Sequence, residues 1–138
     1  MKKHILIVAC LGVTFGLAVS ASAQVGGIRA KVPFDFAVSG KTFPAGEYTM
    51  IAASDQIRIE DAKGKPIAMV LANQVSGRST GANGQIIFRC YRDRCFLWEL
   101  WSPAQQNGRE LLTSRAEAEL AKEESGKYFA VLGQKPGN

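Results

Sequence analysis

The sequence predicts a mainly β domain: a small antiparallel β-sandwich or partly closed β-barrel with one short C-terminal α-helix. After residue 26, apolar residues recur mostly at every second position, which is the period of a strand with one buried face. Clusters of glycine, proline, serine and aspartate interrupt this alternation at short intervals, as turns do. One stretch near the C-terminus instead carries a helix-capping pattern.

The first half of this pattern contains four predicted strands. Alternation over residues 32–38 predicts the first strand, and Ser39-Gly40 follows as a turn signal. Pro44-Ala45-Gly46 suits a second turn, because proline presets the backbone angle of its first central residue. Further strands are expected at residues 48–52, 56–60 and 66–75.

Residues 85–101 form the clearest predicted hairpin, between loops expected at 76–84 and 103–108. Its two-residue turn is Arg92-Asp93. In this register four pairs of residues face each other: Tyr91 and Arg94, Cys90 and Cys95, Arg89 and Phe96, and Phe88 and Leu97.

A helix is expected over residues 115–125. Ser114 and Glu117 fit a capping box, in which each side chain accepts a hydrogen bond from an amide at the helix start. Gly126 is placed to end the helix. The predicted apolar stripe that docks the helix is narrow and consists of Leu112, Ala116 and Leu120. A last strand is expected at residues 128–132.

The N-terminal segment has the pattern of a cleaved export signal. Residues 1–4 are positively charged, residues 5–19 are an almost uninterrupted apolar run, and Ala21-Ser22-Ala23 supplies the small residues that signal peptidase accepts. Cleavage at this site would leave a single periplasmic or secreted domain that begins at Gln24. The apolar run is shorter than a membrane span of about 20 residues, so no permanent span is expected after cleavage.

Removal of the signal limits the chemistry of the mature chain. His4 is the only histidine, so histidine-dependent nucleophiles, general bases and metal ligands are excluded from the mature chain. The formal charge of +5 falls by two when Lys2 and Lys3 are removed. The scattered surplus that remains lacks the concentrated basic face of a nucleic-acid binder. We therefore expect no metal, no cofactor and no nucleic-acid partner.

Cys90 and Cys95 remain after Cys10 is removed with the signal, an even number of cysteines in an oxidising compartment. The hairpin register places them in a non-hydrogen-bonded pair, where backbones approach to about 4.5 Å, a distance compatible with a cross-strand disulfide. Their spacing differs from the two-residue spacing of thiol oxidoreductases. We therefore expect a structural disulfide.

The hairpin also provides a candidate partner-binding patch, which consists of Arg89, Tyr91, Arg94, Trp98 and Trp101. Both faces of the predicted hairpin are apolar, with Trp101 on the face of Phe88, and Trp98 and Leu100 on the other. Because the helix stripe is too narrow to cover several rings, part of Trp98 or Trp101 is expected to stay exposed beside an arginine. The alternative is that alternation buries the rings and the arginines are simply solvated.

Several segments resemble a group of small exported bacterial proteins of unknown function. The resemblance lies in Val32-Pro33-Phe34-Asp35-Phe36, Gly40-Lys41, Pro44-Ala45-Gly46-Glu47-Tyr48, Ala68-Met69-Val70-Leu71, Gly108-Arg109-Glu110 and Ser114-Arg115-Ala116-Glu117. These segments are turn, strand and cap signals, and the group implies no established activity. Cys90 and Cys95 are not part of its pattern. A weaker similarity of the Pro-Ala-Gly-Glu-Tyr segment to turns of immunoglobulin-like modules favours a sandwich over a barrel.

The expected function is that of a non-enzymatic binding or structural module with an unidentified envelope or extracellular partner. One alternative is an inhibitor or ligand carrier built on a small barrel, which an enclosed apolar cavity would favour. The other is a carboxylate-based hydrolase, which a cleft with two facing carboxylates would favour. The candidate carboxylates for that reaction are Asp35, Glu60, Asp61 and Glu99, whose separation the sequence does not fix. Neither does the sequence define the oligomeric state.

Overall fold

The computed structural model describes residues 27–78, 82–103 and 106–134. The predicted cleavage site at Ala21, Ala23 and Gln24 lies outside these residues. Within them, ten strands and one helix follow in the order β1 (Ile28–Val32), β2 (Phe36–Val38), β3 (Lys41–Phe43), β4 (Gly46–Ala53), β5 (Gln56–Glu60), β6 (Pro66–Ser76), β7 (Gln85–Tyr91), β8 (Arg94–Trp101), β9 (Asn107–Leu111), α1 (Arg115–Glu123) and β10 (Lys127–Leu132).

The strands form two sheets that pack face to face as a sandwich. The first sheet is antiparallel and has the order β1-β4-β5-β6. In the second sheet, β7 pairs with β10 on one edge and with β8 on the other. The edge of β8 that faces away from β7 pairs with both β9 and β2, and β3 pairs with β2. β6 joins the sheets, because residues 66–71 pair with β5 and residues 72–76 pair with β9. The strand order does not close on itself, so the fold is a sandwich and not a closed barrel.

The core lies between the two sheets. Alternate residues of β1 and β5 are buried and the residues between them face solvent, as the period of two predicts. Full burial of a large apolar side chain contributes about 1.5–3 kcal/mol to stability. The largest fully buried side chains come from both sheets and include Ile28, Met50, Ile57, Ile59, Phe36, Ile86, Phe88 and Leu100.

The first predicted strand, residues 32–38, is divided between the two sheets. β1 ends at Val32, and β2 begins at Phe36 in the second sheet, where it pairs in parallel with β8. Pro33 lacks an amide hydrogen and cannot continue a ladder. A carboxylate oxygen of Asp35 accepts a hydrogen bond from the Ala45 N–H at 2.9 Å, which fixes this crossover to the turn before β4.

The β7–β8 hairpin has the predicted register near its turn. Cys90 pairs with Cys95, Arg89 with Phe96 and Phe88 with Leu97, as expected from the sequence. The cysteines form a disulfide with a Cα–Cα distance of 4.0 Å, so the predicted bond is confirmed. At the turn, Arg92 adopts the left-handed backbone conformation with φ of 53°.

Further from the turn, a β-bulge changes which residues enter the core. Ile87 pairs with Glu99 instead of Trp98, so Trp98 is the extra residue on β8. A shift of one residue exchanges the two faces of a strand. The predicted placement of Leu100 and Trp101 is therefore wrong: Leu100 belongs to the core between the sheets and Trp101 does not.

The helix begins at the predicted residue, ends two residues earlier than predicted, and docks differently. The Ser114 hydroxyl accepts a hydrogen bond from the Glu117 N–H at 3.2 Å, which confirms the serine half of the capping box. Leu112 and Ala116 of the predicted apolar stripe are exposed. Leu120 alone of that stripe packs against residues of the second sheet.

We expect the disulfide to have a supporting role. A Cys90→Ala, Cys95→Ala double variant should fold and lose about 2 kcal/mol of unfolding free energy or less, because the bond closes a loop between residues only five positions apart. Urea unfolding followed by circular dichroism measures the change, with reduced wild type as the control. A double variant that fails to fold would contradict this role.

Candidate interaction surface

The candidate site lies on the side of the second sheet that faces away from the core, here called the outer face. Phe88 and Cys90 of β7 point into the core. The alternation of a strand therefore places Arg89 and Tyr91 on the outer face. Tyr128 of β10 pairs with Arg89 and shares this face.

The helix covers one end of the outer face. Tyr91 and Phe96 form a small buried cluster with Ala37 of β2, and Leu120 of α1 packs against it. The ring centroids of Tyr91 and Phe96 lie 6.0 Å apart in an edge-to-face arrangement. The rings of Tyr91 and Phe96 therefore pack under the helix and are not accessible to a partner.

A buried ion pair attaches the helix to this end of the sheet. Glu117 is only 3% exposed, and one of its carboxylate oxygens accepts hydrogen bonds from Arg89 Nε at 2.7 Å and from the Tyr91 hydroxyl at 3.4 Å. Arg89 also donates from Nη2 to the Thr113 hydroxyl at 3.2 Å. The carboxylate of the predicted capping box therefore binds the sheet, and charge, more than an apolar stripe, positions the helix.

This environment changes the acidity of Tyr91. Burial is the largest cause that raises the pKa of its hydroxyl above the ordinary value, and the Glu117 carboxylate raises it further, while Arg89 acts in the opposite direction. The uncharged phenol is consequently the form that the folded state favours.

Beyond the helix, two aromatic rings form the accessible part of the outer face. Trp98 is half-buried, and its ring centroid lies 4.9 Å from that of Tyr128, which is 61% exposed. The Arg89 guanidinium lies over the Trp98 ring at 4.9 Å, so the ion pair that docks the helix also supports this indole. The expectation of a partly exposed tryptophan beside an arginine thus describes Trp98 and Arg89.

Trp101 does not belong to this surface, which corrects its predicted place in the patch. It is 3% exposed, and its indole N–H donates to a carboxylate oxygen of Glu99 at 2.7 Å. The ring lies against the backbone of Gly108 on the neighbouring strand, where a Cβ would come within 2.6 Å of it. The guanidinium of Arg78 covers the ring at 5.7 Å and lies 3.9 Å from the Glu99 carboxylate.

Tyr91 and Arg94 face each other across the hairpin, as the predicted register has them, but neither adds an accessible ring to the patch. Tyr91 is buried under the helix and cannot contact a partner directly. Arg94 is exposed, but its guanidinium lies over the ring of Phe96. The accessible surface therefore centres on Trp98 and Tyr128, and the hairpin pattern alone did not indicate Tyr128.

The carboxylates considered for hydrolysis have partners within the protein. Asp35 holds the crossover described above, and Asp61 accepts backbone hydrogen bonds from Lys63 and Lys65 in the turn after β5. Glu60 lies 3.0 Å from Arg58, and Glu99 binds Trp101. In the described ranges, no group of three or more potential metal ligands is found.

A small open cavity lies at the hairpin turn. Its volume of about 190 Å³ is below the range of roughly 300–1,000 Å³ typical of ligand pockets. The residues that line it are Asp35, Phe36, Ala37, Thr42, Asp93, Arg94 and Cys95. The enclosed apolar cavity that a ligand carrier needs is not formed by these residues.

Comparison with known proteins found no match to a family model, to a curated protein or to a solved structure. The resemblance to small exported bacterial proteins therefore stays a prediction. No helix in the described part of the chain is long and apolar enough to cross a membrane. The Cys90–Cys95 disulfide is compatible with an exported protein, because such bonds persist in oxidising compartments.

Glu117→Ala should lower the unfolding free energy by about 3 kcal/mol, because it leaves the largely buried guanidinium of Arg89 without its partner. Glu119→Ala is the matched control: its carboxylate lies on the same helix in an exposed pair with Lys122, so the loss should stay within about 0.5 kcal/mol. Chemical denaturation measures both. Equal losses would contradict the anchoring role of Glu117.

Stability should fall as the pH rises above about 10, the pKa of a tyrosine in the unfolded chain, because burial raises the pKa of Tyr91 in the folded state. Below that pH this contribution is present in full. Tyr91→Phe should make the fall of the unfolding free energy with pH less steep. Part of the fall should remain, because Tyr48, whose pKa is raised by burial and then by Asp35 and Asp61, still contributes. Unfolding free energies at intervals from about pH 8 to pH 11 measure the slopes. Identical slopes would contradict the assignment to Tyr91.

Proposed function

We propose that the chain is an exported, non-enzymatic binding module that contacts a protein partner, in the envelope or outside the cell, through the outer face around Trp98 and Tyr128. The observation that carries this proposal is Tyr128, a large aromatic side chain that is 61% exposed and whose ring contacts that of a half-buried tryptophan at a tilt of 40°. Tyrosine, tryptophan and arginine are enriched at protein interfaces and dominate their binding energy.

The surroundings of the two rings favour a protein partner over an anionic polymer. The guanidinium of Arg89 is paired with Glu117, so it offers no free charge to a phosphate or sulfate chain. The Trp98 ring contacts both Arg89 and Tyr128, and therefore loses little conformational freedom when a partner binds. An aromatic surface with neutralised charge fits an apolar or aromatic side chain of another protein.

Two further observations support the remaining parts of the proposal. The signal pattern of residues 1–23 and the disulfide support export to the periplasm or the medium, with cleavage before Gln24. Three of the four candidate carboxylates, Asp35, Asp61 and Glu99, hold turns and a ring of the fold, and the mature sequence has no histidine for acid–base chemistry. The carboxylate contacts and the lack of histidine favour binding over catalysis.

The proposal is tested by capture with immobilised mature protein, residues 24–138, from envelope extract and medium of the native host. The comparison is between wild type, Tyr128→Ser and Met69→Ser, in which Met69 is a control of equal 61% exposure on the first sheet. A partner bound through the outer face should bind Tyr128→Ser about 30-fold more weakly, the loss expected for a hot spot of about 2 kcal/mol. It should bind Met69→Ser with unchanged affinity.

Each captured protein is purified and titrated against the three forms by calorimetry. A partner that binds all three forms equally, or the absence of any protein that depends on Tyr128, would contradict the proposed surface. Circular dichroism of each variant confirms that the fold is unchanged.

A further inference from the structure

Among the described residues, the edge of β10 that faces away from β7 has no strand partner, although β1 lies near its C-terminal end. β10 pairs with β7 over its whole length. Just beyond the strand, the Gly133 N–H donates to Gly84 on the β7 side, while the Gln134 N–H donates to Arg29 of β1 on the opposite side. The directions of N–H and C=O groups alternate along a strand. The groups of Tyr128, Ala130 and Leu132 therefore point to the free edge.

This edge lacks three of the features that keep natural edge strands unpaired: charged side chains along the strand, a proline and a bulge. The register of β10 against β7 is continuous, and Lys127, at one end, is its only charged residue. Three of its large apolar side chains, Tyr128, Phe129 and Leu132, are 48–62% exposed. A free backbone edge with apolar side chains on both faces fits an extended strand of similar composition.

We propose that β10 pairs antiparallel with β10 of a second copy of this chain, with the two-fold axis at Ala130. In this register Tyr128 lies opposite Leu132 of the second copy, and Phe129 lies opposite its Val131. Every exposed apolar side chain of the strand thereby gains an apolar cross-strand neighbour, a favourable arrangement in antiparallel pairs. The two Lys127 side chains fall at opposite ends of the paired strands, so like charges do not meet. A second copy is therefore the occupant to which the strand is complementary.

The pairing would join the second sheets of two copies into one continuous sheet. A two-fold axis perpendicular to that sheet places both outer faces on the same side. The two Trp98–Tyr128 surfaces would then face the same direction. The dimer does not depend on the proposed binding function, because it rests on the backbone edge and the side-chain pairs of β10.

Sedimentation equilibrium of mature protein over a wide concentration range tests the dimer. The average mass of wild type should rise towards that of two chains. Ala130→Pro should raise the dissociation constant at least about tenfold, because it removes an N–H that points to the free edge and leaves the hydrogen bonds to β7 intact. Met69→Lys, a change at an exposed apolar residue of the first sheet, should leave the mass unchanged. A wild type that is monomeric at every concentration, or a folded Ala130→Pro protein that still dimerises fully, would overturn the proposal.

A charge-swap pair tests the register and does not require the proline variant to fold. Tyr128→Lys combined with Leu132→Lys places lysine opposite lysine at two positions and should give a monomer. Tyr128→Lys combined with Leu132→Glu places lysine opposite glutamate and should restore the dimer. Failure of the second combination to dimerise better than the first would overturn the register. Ala130→Pro leaves the Trp98–Tyr128 surface in place, so partner capture by a monomeric Ala130→Pro protein separates loss of the dimer from loss of partner binding.

Discussion

The β7–β8 hairpin is apolar on both faces. The arrangement of the second sheet follows, because both faces must be shielded from water. Its inner face packs against the first sheet, where Phe88 and Leu100 are among the fully buried side chains. No sheet formed by the described residues lies above its outer face. Helix α1 covers the end near the turn, and the Arg78 side chain covers Trp101 at the other end. Between these covers, the rings of Trp98 and Tyr128 remain accessible to solvent.

Polar contacts attach helix α1 to this outer face, although the residues that the helix covers are aromatic. A nine-residue helix whose predicted apolar stripe is largely exposed has little stability alone. Its position is fixed because Glu117 reaches Arg89 and Tyr91, and separation of that pair would leave a charge in a largely buried site. The same arginine supports the Trp98 ring. Helix docking and the geometry of the candidate surface therefore depend on one guanidinium.

The bulge at Trp98 determines which aromatic residue is available to a partner. Without the shift between Ile87 and Phe88, Trp101 would point towards the core and Leu100 away from it. The bulge reverses these two positions and places Trp101 over Gly108, where the missing side chain leaves space for the indole. β9 carries that glycine in the polar sequence Asn107–Leu111, a strand that the alternation of apolar residues did not predict. Its place in the sheet comes from pairing with β6 and β8.

The sequence by itself determined the mainly β class, the hairpin register around Cys90 and Cys95, the start of the helix at Ser114 and the final strand. These features depend on local signals: a period of two, a two-residue turn, a capping serine and the distance between two cysteines. The tertiary structure decided the choice of sandwich over barrel, the division of residues 32–38 between the sheets, the partner of Glu117 and the burial of Trp101. Each of these depends on residues distant in sequence, such as Arg89 for Glu117 and Gly108 for Trp101. Periodicity shows that a strand has a buried face, but only the packed strands define what covers that face.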